Sequence, residues 1–122
     1  MEHVKSKEFC GSALCLFVDD EVVKAAALYE GLKLIDVYPP THHLDEYIGV
    51  LSLIASVSLK PLDEYIIFKR NNLWYIIISL IRSKVLVLAL SKYVSPSIAM
   101  NYAESVIKSL REFISKRETL II

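Results

Sequence analysis

The chain has 122 residues, which at about 100 to 200 residues per domain is room for a single domain, residues 1–122, with one core. Its 14 Lys and Arg balance 14 Asp and Glu, and because the charges alternate in sign along the chain, neither nucleic acid nor an anionic membrane surface is an expected partner. Hydrophobic residues make up 54%, above the roughly 45 to 50% of soluble domains, which excludes a disordered chain and leaves more apolar surface than so small a domain hides by itself.

From the N-terminus, Met1 to Glu8 has mixed charge and no apolar stretch running to a small-residue cleavage site, so a cytoplasmic location is expected. Residues 6–20 hold Phe9, Ala13, Leu14, Leu16, Phe17 and Val18. They read as a short helix interrupted by Gly11, with a strand over 13–18 as the alternative; the helix is preferred because a sheet face would otherwise be bare. Cys10 and Cys15 stand about 140° apart on a helix and on opposite faces of a strand, which points to buried thiols rather than a bridge or a metal clip. Asp19, Asp20 and Glu21 read as solvated acids in a connector. A hairpin follows over 22–30 and 32–38, turning at Glu30-Gly31 and ending at Pro39-Pro40.

Residues 42–59 have helical length, with Thr41 as a possible cap and Lys60-Pro61 as the stop. The apolar positions of this helix cover about 240° at 100° per residue, whereas a helix lying on its own sheet needs little more than about 100°. Part of the arc therefore faces other elements or another chain, and the narrow remainder holds Asp45, Gly49, Ser52, Ser56 and Lys60. Three apolar runs, 64–70, 73–81 and 85–92, then read as a meander divided by Asn71-Asn72 and by Arg82-Ser83-Lys84. Leu73 to Leu90 is long enough for a crude membrane window, but the Arg and Lys at its centre make it a hairpin and not a membrane span. The last two runs barely alternate, so helices must cover the sheet on both faces. The final helix, 96–116, begins with Ser95 as its cap and Pro96 in its first turn. Ile98, Ala99, Tyr102, Ala103, Val106, Ile107, Leu110, Phe113 and Ile114 share its apolar face.

Only three glycines occur, at 11, 31 and 49, so no Gly-rich phosphate loop and no nucleophile elbow can be written. The one cluster with ligand chemistry is His42-His43 with Glu46, at helical i,i+4 and i,i+3 spacing; it offers fewer ligands than a protein metal site needs and reads as a helix start. Neither a cofactor, a metal nor an enzymatic activity is expected.

Helix, hairpin, helix, three strands and a long helix, with Ala25-Ala26-Ala27-Leu28-Tyr29-Glu30-Gly31-Leu32-Lys33-Leu34-Ile35 as a compressed first hairpin, is an order that resembles the roadblock/dynein light chain family. The resemblance implies an α+β fold, a five-stranded antiparallel sheet with helices on both faces. It implies dimers as well, with the same chain or a related roadblock-like subunit, that serve as platforms or regulators of Ras-like small GTPases. In such dimers the middle helices pack antiparallel and the third strands pair edge to edge. That arrangement assigns Tyr47, Val50, Leu53, Ile54 and Val57 of the helix, and Tyr65, Ile66, Ile67 and Phe68 of the strand, to the interface. A longin-like adaptor, which begins directly with strands, and a small-molecule sensor of the PAS or GAF kind are the alternatives; the sensor needs a cavity.

Overall fold

Two hairpin turns set the sheet. Asn71 and Asn72 both adopt positive φ (53° and 64°), as a two-residue type I′ turn requires, and close strand β3 (Tyr65–Arg70) onto β4 (Leu73–Ser79). Gly31, at φ 63°, turns β1 (Val23–Glu30) into β2 (Lys33–Tyr38). Arg82 and Ser83, also at positive φ, return β4 into β5 (Lys84–Leu90). The computed structural model describes residues 13–121, with side chains through Lys116. In it all strands are antiparallel in the order β2-β1-β5-β4-β3, which leaves β2 and β3 as the edges.

Helix α1 (Glu46–Ser58) and helix α2 (Pro96–Ile121) lie on opposite faces. Under α2, Ala26, Ile76, Ile78, Leu86, Leu88 and Leu90 of the sheet meet Ala99, Ala103, Val106 and Ile107 of the helix. Under α1, Ala25, Ala27, Tyr29, Tyr75, Ile77, Val85, Val87 and Ala89 meet Ile48 and Ala55. Residues 75–78 and 85–90 are therefore buried whichever way they point, as two-sided cover demands. The start of α2 is the expected one: Ser95 Oγ accepts the Ile98 N–H at 3.3 Å.

Four expectations are corrected. Within the helix expected over 6–20, the described residues form a 3-10 turn at Ala13–Phe17 and leave it by Val18, while residues 6–12 lie outside the described residues. It contributes Leu14 to the α2-side core next to Val18, and the chain then leaves it because Asp19 Oδ1 accepts the N–H groups of Glu21, Val22 and Val23, each at 2.9 Å. Asp19 is thus a turn-former and not a merely solvated acid. Cys15 is buried but disulfide-bonded, not a free thiol. It sits in a 3-10 turn, so the face geometry of a regular helix or strand does not govern it; Cys10, the chain's other cysteine, lies outside the described residues. Finally, α1 starts at Glu46, not 42, because the Asp45 carboxylate caps it by accepting the Ile48 N–H at 3.3 Å. Among the described residues no helix is long and apolar enough to cross a membrane, and 73–90 is the β4-β5 hairpin.

Two substitutions test this packing. Ile107→Asp places a carboxylate in the α2-side core, where Ile107 is 5% exposed, and should abolish the cooperative thermal transition seen by circular dichroism. Gly49→Ala should instead stabilise by about 0.5 to 1 kcal/mol in denaturant titration, since a Cβ at Gly49 meets its nearest neighbour, the Tyr29 ring, at an ordinary 3.7 Å.

Candidate functional site

Helix α1 is seated on its small side. Ile48, Gly49, Ser52 and Ala55 are the buried positions, so Gly49 and Ser52 of the narrow polar arc meet the sheet together with Ile48 and Ala55 of the apolar one, while Lys60 stays exposed. Gly49 lies beside the Tyr29 ring, where a methyl group would still make an ordinary 3.7 Å contact. Ser52 is fully buried, and its hydroxyl has no hydrogen-bond partner among the described residues. The consequence is on the other side of the helix, where Tyr47, Val50 and Ile54 are each nearly half exposed and Val57 is 78% exposed. Their spacing of 3, 4 and 3 residues draws one apolar stripe along the helix.

The stripe runs into the β3 edge through aromatic contacts. The Tyr47 ring meets the Phe68 ring edge-on at 6.0 Å, and Phe68 stacks on Tyr75 at 5.5 Å. Arg70 fixes the corner: its Nε donates to Asp45 Oδ2 at 2.8 Å while its guanidinium lies 4.2 Å from the Tyr47 ring centre. This hydrogen bond from Arg70, helped by the Ile48 N–H, holds the Asp45 carboxyl below its usual range. Burial, and then the Asp45 charge, push the Tyr29 and Tyr75 hydroxyls up.

All of the strand positions assigned to an interface are half-buried. Ile66 and Phe68 pack on the α1 side, Tyr65 and Ile67 on the α2 side, and the Tyr65 hydroxyl donates to Glu104 Oε2 at 2.9 Å. Leu53 differs from its helix companions: it is half-buried and turned toward the β1-β2 turn, with its Cδ1 4.0 Å from where a Cβ on Gly31 would stand.

The two sheet edges are built differently. Along β2 the register slips at Ile35, Asp36 Oδ1 accepts the Val37 N–H at 2.9 Å, and Pro39 and Pro40 follow. A bulge, a side-chain cap and prolines each discourage strand addition. Along β3 the ladder runs without a slip from Tyr65 to Arg70, and its first four residues are apolar.

His42 does not share a helix with Glu46. It lies before α1, half-buried, with Nε2 3.3 Å from the Tyr75 hydroxyl, while His43 is exposed. Among the described residues no group of three His, Cys, Asp or Glu is placed to hold a metal ion. Beneath His42 and Leu44 the space against Ala25, Ala27, Val37 and Ala89 has no room for a water-sized molecule, far from the roughly 300 Å³ at which small-molecule pockets begin. Sequence reasoning finds the wide apolar arc of the helix from periodicity and the apolar run Tyr65 to Phe68 from its composition, but not which part of the arc faces outward. It misses the Asp45–Arg70 and His42–Tyr75 contacts, whose partners lie 25 and 33 residues apart and leave no local pattern. No family model matches the sequence, and no curated protein matches it.

Burial, then the neighbouring His43, lowers the His42 pKa from 6.5. The folded state thus favours the neutral ring, so its contribution to stability is full above pH 6.5 and is lost as pH falls below it. The denaturant midpoint should drop between about pH 7.5 and about pH 5.5, a range above the one in which Asp45 takes up its proton, and His42→Gln should flatten that drop. An unchanged slope in the variant would remove His42 as the cause.

Proposed function

We propose that this chain is a non-enzymatic dimeric scaffold of roadblock type that binds or regulates a Ras-like small GTPase in the cytoplasm. The observation that supports it best is the pairing of an outward apolar stripe on α1 with the adjoining unblunted edge of β3. Burying four large side chains of one helix face against solvent-free partners is worth several kcal/mol at about 25 cal/mol per Å², and an apolar edge strand left open is an aggregation hazard. One partner resolves both. The stripe's 3-4-3 spacing reads alike from either end, which suits an isologous contact in which the same patch meets itself. The order of elements and the two-sided cover of the sheet agree with the roadblock resemblance, and the GTPase rests on that resemblance alone. A longin-like adaptor, which also layers helices on a five-stranded antiparallel sheet, is the alternative reading.

Sedimentation of the 13.9 kDa chain should give a dimer at micromolar concentration. Ile54→Asp and Val57→Asp should yield folded monomers with unchanged circular dichroism, because the new carboxylate is solvated in the monomer and buried unpaired in the dimer. Leu53→Asp should disturb the fold as well, given its seat beside Gly31. For the partner, the immobilised dimer is exposed to native lysate with GDP or a non-hydrolysable GTP analogue. A retained P-loop GTPase whose capture depends on the nucleotide is the expected result; capture of none overturns the GTPase reading.

A further inference from the structure

Four rings stand in a row across the α1 face, from a titratable side chain to the outward stripe. His42 Nε2 lies 3.3 Å from the Tyr75 hydroxyl, the Tyr75 ring stacks on Phe68 at 5.5 Å, and Phe68 meets the Tyr47 ring edge-on at 6.0 Å. Tyr47 opens the stripe and is 47% exposed. At the other end of the row, His42 belongs to the connector 39–45, which contains no helix or strand. Side chains hold this connector on the sheet: Leu44 in the α1-side core, His42 on Tyr75, and Asp45 on Arg70.

The His42 imidazole is seated over apolar ground. With Leu44 it closes on Ala25, Ala27, Val37 and Ala89 and leaves no room for water. The charged and titratable groups around this seat are His43 and Asp45 of the connector, Glu46 at the start of α1, Tyr29 of β1, Tyr75 of β4 and Arg70 of β3. His43 and Glu46 are exposed. Asp45 is engaged by Arg70 at 2.8 Å through one oxygen and by the Ile48 N–H through the other. A second proton on the His42 ring thus meets an apolar floor and a hydroxyl, where a cation is poorly solvated, and burial already favours the neutral ring.

From this arrangement we infer that His42 is a pH switch on the association surface: the neutral ring keeps the connector closed and the row Tyr75-Phe68-Tyr47 packed for a second copy, and the protonated ring releases both. The inference rests on the self-association proposed above and assigns its regulation. Protonation drives the side chain toward water, which the irregular connector permits at the cost of the contact with Tyr75. Tyr75 is then held from the Phe68 side only, and the order is lost from Phe68 and Tyr47, the two rings of the row that a second copy covers. Linkage makes the coupling reciprocal. Protonation that weakens association requires association to lower the His42 pKa, which is the sense expected when a second copy shields the row from water.

Sedimentation of the full chain at about pH 7.5 and about pH 5.5 reads the switch, with circular dichroism at both to show that the fold persists. The dissociation constant of the dimer should rise about tenfold or more on acidification, since each dimer carries two copies of His42. His42→Gln, which can still hydrogen-bond to Tyr75 but cannot charge, should abolish the rise, whereas His43→Gln, at the exposed neighbour, should keep it. Proton NMR reads the same coupling from the other side: the His42 pKa should lie lower in the dimer than in the monomeric Val57→Asp variant. That comparison carries the test if His42→Gln fails to fold. A dimer equally tight at both pH values, a rise that survives in His42→Gln, or one His42 pKa common to dimer and monomer overturns the switch and leaves self-association standing. A chain that sediments as a monomer at the higher pH removes both.

Discussion

Strands β4 and β5 lie at the centre of the molecule and bury nearly every side chain on both faces, and the rest of the structure answers that demand. A sheet with two apolar faces must be covered twice, and the covers here are unlike. On one side α2 meets the sheet with an ordinary amphipathic face, small at Ala99 and Ala103 and larger at Val106 and Ile107. On the other, α1 meets it with Gly49, Ser52 and Ala55 beside Ile48. Close approach on small residues lets the helix backbone reach the sheet, but it leaves the bulky half of the helix pointing outward. The apolar stripe of α1 is thus a by-product of how the inner face is packed.

The same seating places Asp45 and Arg70 at the junction of α1 with β3. One carboxylate caps the helix with one oxygen and holds Arg70 with the other. Arg70 in turn lies over Tyr47, the first residue of the stripe. Because the guanidinium is planar, it can donate in its plane to Asp45 while its face rests on the ring. A side chain at the rim of the exposed apolar stripe is thereby held in place, which would lower the ordering entropy of the association proposed above.

Edges decide where such a sheet can grow. β2 is interrupted by a slipped register, a side-chain cap on Val37 and two prolines, and it exposes Leu34 and Ile35 without offering a continuous ladder. β3 has none of these devices over Tyr65 to Phe68 and lies against the α1 stripe through Phe68 and Tyr47. The contrast between edges is a stronger pointer to association than the apolar composition alone, since scattered exposed apolar residues are normal on any domain.

By itself the sequence determined the elements whose signals are local. Asn71-Asn72 demanded a tight hairpin, Ser95-Pro96 a helix start, and the unbroken apolar runs a sheet buried on both sides; the structure has each of these. Periodicity also showed that the middle helix was too apolar for one interface. Which side of that helix faces the sheet was decided only by tertiary packing. Polarity ranks Gly49 and Ser52 as outward positions, whereas packing of the helix on the sheet turns them inward together with Ile48 and Ala55. The start of the helix was decided in the same way, for Asp45 outcompetes Thr41 as the cap once Arg70, 25 residues along the chain, comes within 2.8 Å of its second oxygen. Near the N-terminus, Asp19 drew the N–H groups of 21 to 23 into a turn where the need to cover a sheet face had suggested a helix running to residue 20. Contacts between residues distant in sequence leave no spacing to read, and it is they that settled the faces and the boundaries.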